Sequence, residues 1–135
     1  MLPAAEMDFT ALDCLRDRLC TYESKFMPGS MHYEKIELKV PALLEAQEIL
    51  QLEHTAIQAY QLIGCRDYAR IDLRLRDGLF YVLDINPNPD ISPDTSLAYA
   101  AEAAGLSYGN VGNTLVHFAA GRHPVFGSGQ YMPVP

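Results

Sequence analysis

Several features that narrow the function of a protein are scarce in this sequence. It contains no tryptophan, only three cysteines among 135 residues, and no apolar run long enough to span a bilayer. Cys14, Cys20 and Cys65 lack the C-x-x-C spacing of zinc and redox motifs, so we expect reduced, inert thiols. Residues 1–3 (MLP) have neither the basic nor the apolar region of a signal peptide. These absences favour a cytoplasmic protein.

Positive charge is also in short supply. Ten Lys and Arg residues stand against 17 Asp and Glu residues, giving a formal net charge of −7. This balance argues against a surface for nucleic acid or for an anionic membrane. It does not exclude a small anionic ligand, which needs only a local cationic pocket. With 135 residues the chain has the length of one domain with a single core.

The most informative stretch is residues 65–89, CRDYARIDLRLRDGLFYVLDINPNP. Two runs in which apolar and polar residues alternate flank Asp77-Gly78, and this pattern predicts a β-hairpin. The odd-numbered positions of both runs are apolar. The even-numbered set is polar apart from Phe80 and Val82, and contains Arg70, Asp72, Arg74, Arg76, Asp84 and Asn86.

The register of this hairpin depends on the length of its turn. A one-residue slip moves every side chain to the other face, so paired residues must have numbers of equal parity if the odd-numbered apolar sets are to share a face. A two-residue turn at Asp77-Gly78 would pair Arg76 with Leu79 and break that parity. We therefore predict a three-residue loop that ends at a left-handed Gly78 and pairs Leu75 with Leu79. The expected pairs are then Asp84 with Arg70, Asp72 with Val82, and Asn86 with Tyr68.

In this register one face of the hairpin carries two carboxylates, an amide oxygen and a cation, from Asp72, Asp84, Asn86 and Arg70. Such a set suits a hard ion, for example Mg²⁺, that also holds phosphates. The alternative is a hairpin whose outer face is merely solvated. The unusual loop over residues 86–89 (NPNP) favours a functional site, because a strand that simply ends at the surface does not need such a loop.

The whole chain predicts an α+β fold, with an antiparallel sheet and helices packed on one face. The clearest helix covers residues 41–63, with Pro41 in its first turn and Gly64 after its end. Other expected elements are strands within residues 1–9 and 21–26, a weak helix or loop over 10–20, a loop over 27–39, and helices over 96–104 and 107–120. We predict one domain over residues 1–122 and an irregular tail over 123–135.

The hairpin motif resembles the metal site of ATP-grasp enzymes, in which R-x-D on one strand is followed by D/E-x-N-x-x-P at the end of the next. The wider string, from residues 64–75 (GCRDYARIDLRL) through YVLDINPNP to residues 103–108 (AAGLSY), is similar to the D-alanine–D-alanine ligase branch. The resemblance covers about residues 1–120. It implies the carboxy-terminal subdomain of an ATP-grasp fold, in a ligase of peptidoglycan precursor synthesis that uses ATP and two Mg²⁺ ions, with Mn²⁺ as a substitute.

The resemblance also implies roles for individual residues. The enzymes of this family transfer the γ-phosphoryl group of ATP to a carboxylate, and an amine then displaces phosphate to form an amide. Asp72 would hold one metal ion, Asp84 would bridge two, and Asn86 would add a neutral oxygen. Arg70 would be catalytic, contacting phosphate or the tetrahedral oxyanion. Lys25 matches a lysine that contacts phosphate, although a solvated lysine on an edge strand is an equal alternative.

Three positions depart from the ligase pattern. Asp84 is one methylene shorter than the glutamate that usually bridges the metal ions. Asp90 replaces a glycine that helps to bind the oxyanion and the second amino acid, and Thr95 replaces a serine near the terminal carboxylate of that substrate. Asp90 and Thr95 are thus the expected substrate-binding positions. Because of these departures, the resemblance supports D-alanine as the acceptor less strongly than it supports an ATP-grasp enzyme.

Compared with the family, the chain lacks the amino-terminal substrate domain and the central nucleotide-binding subdomain. We therefore expect the catalytic carboxy-terminal portion of a ligase, whose partners are ATP, a small carboxylate or amino-acid substrate, and either the missing portion or a second copy of the chain. One alternative is a degenerate or split module without activity that binds a metal or a partner chain. A second is an α+β interaction domain with a solvated carboxylate face.

Overall fold

Two antiparallel strand pairs and several helices form the structure, a computed structural model that describes residues 1–123 and 127. The strands are β1 (Glu6–Asp8), β2 (Glu37–Lys39), β3 (Arg70–Arg76) and β4 (Leu79–Asn86), and the helices are α1 (Tyr22–Phe26), α2 (Met31–Lys35), α3 (Ala46–Ile63), α4 (Ser96–Ala103) and α5 (Tyr108–Gly121). A single 3₁₀ turn covers Leu15–Asp17. The predicted α+β class is confirmed. Most of the predicted tail over residues 123–135 lies outside the described residues.

The hairpin formed by β3 and β4 has a shorter turn than the sequence predicted. Arg76 pairs with Leu79, so Asp77 and Gly78 alone form the turn. Both residues are left-handed, with φ of 51° and 76°. A two-residue turn of this kind matches the right-handed twist of its strands, and Asp-Gly is among its preferred sequences. The predicted three-residue loop is therefore wrong.

A β-bulge restores the shared polar face farther along the hairpin. Leu73 pairs with Val82 and Asp72 with Asp84, so Leu83 is the extra, unpaired residue of β4. The predicted cross-strand pairs are wrong. The observed pairs beyond the bulge are Ile71 with Ile85 and Arg70 with Asn86. These pairs place Arg70, Asp72, Asp84 and Asn86 on the same face.

The register also explains the two apolar residues of the even-numbered set. Between the turn and the bulge, Phe80 pairs with Leu75 and Val82 with Leu73, which puts them on the apolar face. Phe80 is half-buried, whereas the odd-numbered Leu79 and Tyr81 are 59% and 50% exposed. The apolar face of β4 uses even-numbered residues at Phe80 and Val82 but an odd-numbered residue at Ile85. This switch is the sequence signal of the bulge.

Helix α3 packs against the hairpin, mainly against β4, and buries Ala56 and Ala59. It begins five residues later than predicted. The backbone N–H of Glu45 donates to the carboxylate of Glu48 at 2.9 Å, an interaction typical of a capping box at a helix start. The helix ends at Gly64, whose φ of 70° is the left-handed cap that the sequence predicted.

The segment before α3 differs most from its predicted structure. Residues 21–26 contain the helix α1 with its cap and not a strand. Thr21 caps this helix by accepting a hydrogen bond from the backbone N–H of Ser24 at 3.3 Å. Ser30 caps α2 in the same way for Tyr33 at 3.2 Å. The predicted loop over residues 27–39 therefore contains α2 and also β2, which pairs with β1. Such caps satisfy backbone groups locally, and six alternating residues are too few to outweigh them.

The carboxy-terminal helices lie close to their predicted positions. Ser107 caps α5 by accepting from the backbone N–H of Asn110 at 3.2 Å. At the other end of α5, Arg122 forms an ion pair with Asp67, in which Nη2 lies 2.6 Å from Oδ2. The same guanidinium donates to the carbonyl oxygen of Phe118 at 3.2 Å. The end of α5 is thereby joined to the loop that leads into β3.

Small residues dominate the interior of the described part of the chain. Its buried hydrophobic residues are Leu12, Ala56, Ala59, Ala100 and Ala101, and Pro89 is buried as well. Many larger apolar side chains stay exposed, among them Leu50 at 66% and Leu62 at 85% on α3. No helix among the described residues is long and apolar enough to cross a membrane.

Candidate functional site

The centre of the candidate site is a forked ion pair between Arg70 and Asp72 on β3. The guanidinium of Arg70 donates from Nε to Oδ1 of Asp72 at 2.7 Å and from Nη2 to Oδ2 at 3.0 Å. The same Nη2 lies 4.0 Å from Oδ2 of Asp84 on β4. One cation therefore faces two carboxylates that occupy opposite positions of the hairpin.

The ion pair affects the protonation of Arg70. The hydrogen bonds to Asp72 raise the pKa of Arg70 above its usual value, and the nearby negative charges of Asp72 and Asp84 raise it further. Partial burial acts in the opposite direction and lowers the pKa. The side chains of Arg70 and Asp72 remain 39% and 41% exposed. Solvent therefore screens the pair, and its energetic weight is that of a surface ion pair.

Asn86 lies at the end of β4, directly across from Arg70. Its side-chain oxygen accepts a hydrogen bond from the backbone N–H of Asn88 at 3.0 Å. The side-chain oxygen of Asn88 in turn accepts from the hydroxyl of Tyr68 at 2.7 Å. These bonds, together with the buried Pro89, hold the loop beside the carboxylates in one shape. The Asn86 oxygen keeps a second lone pair for another partner.

The amino-terminal segment lies over the same face of the hairpin. The guanidinium of Arg74 lies 5.7 Å from the ring centroid of Phe9. Partial burial raises the pKa of the Cys20 thiol, although the residue as a whole is exposed. Lys25, Arg70 and Arg74 oppose this shift through their charges, and Asp72 adds to it.

The charges of Lys25 and Asp72 act on the pKa of the Cys20 thiol with opposite signs. Lys25 sits on α1 and not on the edge strand that the sequence predicted. The electrostatic effect on Cys20 was not foreseen, because no motif marks that residue.

Asp90 and Thr95 form a second cluster in the loop after β4, organised by Ser92. Asp90 Oδ1 accepts from the backbone N–H of Ser92 at 2.8 Å and from its hydroxyl at 2.6 Å. These bonds lower the pKa of Asp90, the side-chain bond first. The Thr95 hydroxyl donates to the carbonyl oxygen of Ser92 at 2.8 Å. Ser92 was missed in the sequence, although Asp-x-Ser is a turn signature that could have identified it.

The donor set of the hairpin fits a particular kind of metal site. The described residues contain no cluster of three or more His, Cys, Asp or Glu side chains able to hold a metal ion. Asp72, Asp84 and Asn86 instead offer two carboxylates and one amide oxygen. Mg²⁺ is commonly held by one or two carboxylates and completes its shell with water and phosphate oxygens. These residues therefore fit Mg²⁺ that is bound together with a phosphate compound.

Comparison with known proteins relates this chain to one group of ligases. It is 29% identical over 102 residues to a D-alanine–D-alanine ligase of Pseudothermotoga lettingae, a match that covers 76% of this chain and 33% of the relative. It is 34% identical over 104 residues to D-alanine–D-alanine ligase A of Mesorhizobium japonicum, covering 76% and 28%. The chain thus spans about a third or less of the length of these relatives.

Solved structures show the same fold. A D-alanine–D-alanine ligase from Bacillus anthracis aligns with a TM-score of 0.60 at 24% identity, over 63% of this chain and 28% of that one. A structure of the Bacillus anthracis ligase complexed with ATP aligns with a TM-score of 0.61 at 22% identity, over 67% and 31%. At these identities the similarity establishes the fold alone.

The sequence model of one family covers most of the chain. It matches residues 10–117, which include the hairpin, the loop after β4, helix α4 and most of helix α5. The resemblance read from the R-x-D and D-x-N motifs is thereby confirmed. The chain belongs to the family described as the D-ala D-ala ligase C-terminus.

Proposed function

We propose that this chain is the ATP- and Mg²⁺-binding carboxy-terminal portion of a carboxylate–amine ligase of the D-alanine–D-alanine ligase type. The observation that carries the proposal is the pairing of Asp72 with Asp84 around Arg70 on one face of the hairpin. Family membership supports the reaction class, and the ATP complex of the Bacillus anthracis relative supports the nucleotide.

Each residue of the hairpin has a task in this proposal. When bound, ATP with two Mg²⁺ ions, or Mn²⁺ in their place, supplies the phosphoryl group and the positive charge that its transfer requires. Asp72 and Asp84 would hold the cations, Asp84 contributing to both, and Asn86 would contribute a neutral oxygen. The forked guanidinium of Arg70 matches a phosphate or the oxyanion that develops at the attacked carbonyl.

Two further contacts to the reactants are proposed. Lys25 contacts a phosphate of ATP, supported by its match to a phosphate-contacting lysine of the family whose model covers this position. Asp90 and Thr95 flank the acceptor amino acid, supported by the way Ser92 holds both side chains in the loop beside β4. The hydrogen bonds from Ser92 lower the pKa of Asp90 further below its usual range, so its side chain is negatively charged at neutral pH. It would therefore disfavour an acceptor carboxylate placed next to it.

The chain is proposed to act in the cytoplasm together with further polypeptide. It spans about a third or less of the relatives named above, and its buried hydrophobic residues are mostly alanines, whereas large apolar side chains on α3 stay exposed. The rest of a ligase, or a second copy of the chain, would cover such surfaces. We therefore expect the chain alone to bind Mg²⁺-ATP weakly. The short coverage equally supports the second candidate, a split module that lacks activity of its own.

Paramagnetic NMR tests the proposed site even where binding is weak. Mn²⁺ added with ATP should broaden the backbone amide signals of residues 70–72 and 84–86 first. Asp72→Asn and Asp84→Asn should each abolish that selectivity. Asp77→Asn is the matched control, since Asp77 lies on the same hairpin but in its exposed turn. If the broadening of these signals is the same in both carboxylate variants as in the unmodified chain, the proposed metal site is refuted.

A further inference from the structure

The position of Arg70 has a consequence for metal binding that rests on the proposed function. Both carboxylate oxygens of Asp72 accept hydrogen bonds from its guanidinium, at 2.7 and 3.0 Å, and Asp84 lies 4.0 Å from the same group. A metal ion shared by Asp72 and Asp84 would need the same carboxylate oxygens. We propose that Arg70 is an internal counter-ion that competes with the metal for Asp72 until a phosphate group draws it away.

The charges of the site explain the competition. Asp72 and Asp84 carry two negative charges, and Arg70 already neutralises one of them. A divalent ion entering beside the bound guanidinium meets a positive charge only a few ångströms away, and repulsion at that distance opposes binding. Arg74, two residues from Asp72 on the same face of β3, adds positive charge to the surroundings. Without phosphate, the two carboxylates therefore form a poor metal site.

A phosphate group reverses this balance. Its oxygens accept a forked hydrogen bond from guanidinium as well as a carboxylate does. The Arg70–Asp72 pair is about two-fifths exposed on each side, so solvent and ligands can reach it, and exposed pairs are weak enough to exchange partners. Once Arg70 turns to phosphate, both oxygens of Asp72 are free for the metal. Phosphate and metal then strengthen each other's binding at this site.

Arg70 is in this respect a positioning residue for the metal as well as a contact for phosphate. Loading of the metal by the carboxylate pair is tied to the arrival of the nucleotide. The chain therefore does not hold a divalent cation tightly between turnovers. A cation is retained only when the phosphate that it must neutralise is present.

Mn²⁺ titration monitored by electron paramagnetic resonance tests the competition without any enzymatic assay. The full chain is titrated in the absence of phosphate compounds. Arg70→Met should bind Mn²⁺ about tenfold more tightly than the unmodified chain, within the usual range of coupling between sites. Arg74→Met is the matched control, because it removes the same charge from the same strand and should change the affinity much less. Arg70→Lys, which cannot hold both oxygens of Asp72, should lie between.

The outcomes separate the inference from the function on which it rests. Equal Mn²⁺ affinity of the unmodified chain and Arg70→Met would overturn the inference, as would an equal gain in Arg74→Met, which would reflect net charge alone. Adding Asp72→Asn to Arg70→Met should remove the gain. If that double variant keeps its affinity, Mn²⁺ binds elsewhere and the proposed metal site itself fails. Arg70→Lys supplies the same comparison if Arg70→Met does not fold.

Discussion

Asp72 lies directly across the hairpin from Asp84, although counting back from the two-residue turn would place it opposite Leu83. The bulge at Leu83 makes the difference. In an unbroken ladder, β4 would present Leu83 and Ile85 on the face of Arg70 and Asp72, and its own polar residues would lie on the apolar face. One unpaired residue therefore brings the two carboxylates together.

The carboxylates are the first target for mutation in a full-length ligase that contains this sequence. Loss of a residue that hydrogen-bonds a metal ligand lowers activity by roughly 10- to 100-fold. Asp72→Asn and Asp84→Asn change the proposed ligands themselves, so each should lower kcat by more than this. Each change removes a negative charge that we propose holds the cations. Steady-state kinetics of ADP release measure the effect, with Asp77→Asn as the control. Near-normal turnover of either variant would remove that residue from the metal site.

The hairpin turn should depend on the left-handed conformation of Gly78. Gly78→Ala meets no steric contact, yet its φ of 76° is unfavourable for a side chain. We expect the variant to lose about 1 kcal/mol of unfolding free energy. Urea denaturation followed by circular dichroism measures the loss. No change in the unfolding midpoint would show that the turn contributes little to stability.

Gly112 in the middle of α5 is a matched glycine with the opposite expectation. A Cβ at this position also meets open space, but the backbone is helical. Gly112→Ala should therefore raise the unfolding free energy by roughly 0.5–1 kcal/mol. The same urea experiment applies. A loss in stability would mean that another part of the protein packs against this face of α5.

The pairing of β1 with β2 should weaken in acid. Hydrogen bonds from Lys39 and then Thr10 lower the pKa of Asp8 to about 2 from 3.8. Because the folded pKa is the lower one, the contribution of Asp8 is complete well above pH 3.8 and is lost as the pH falls towards 2. The protection of the amides of residues 6–8 and 37–39, measured relative to the intrinsic exchange rate at each pH, should fall over this window. Asp8→Asn should lack the acid-dependent step, and an unaltered step would assign it to another group.

Asp90 should set the preference for the acceptor in a full-length ligase that contains this sequence. Asp90→Gly removes a negative charge beside the proposed place of the acceptor carboxylate. The KM for D-alanine should fall, whereas the KM for its amide should change less. Amide formation coupled to ADP release compares both acceptors, with Asp94→Gly as a control in the same loop. Equal responses to the two acceptors would show that Asp90 does not face the carboxylate.

The parts of the fold that the sequence predicted are those that local patterns determine. Asp77-Gly78 between two alternating runs identified the hairpin, and Gly64 marked the end of α3. The polar face was predicted correctly through an incorrect register. The three-residue loop and the actual bulge both shift the pairing by one residue, and only the apolar Phe80 and Val82 distinguished between them.

Other features depend on contacts that a sequence does not display. Residues 21–26 alternate like a strand, but the cap at Thr21 makes a helix there. The contact between Phe9 and Arg74 follows from the path of the amino-terminal segment across the hairpin. The sequence also did not predict the forked ion pair between Arg70 and Asp72, because the R-x-D motif is compatible with two side chains that each face solvent.

The ion pair between Arg122 and Asp67 bears on where the folding unit ends. Asp67 has a φ of 65° in the loop that feeds β3, and the Arg122 guanidinium holds its carboxylate from just beyond the end of α5. A shortened chain that stops at Gly121 would keep every helix and strand of the described residues, yet it would lose this contact at the base of the hairpin. The connection between α5 and the hairpin therefore depends on a side chain that follows the last turn of helix.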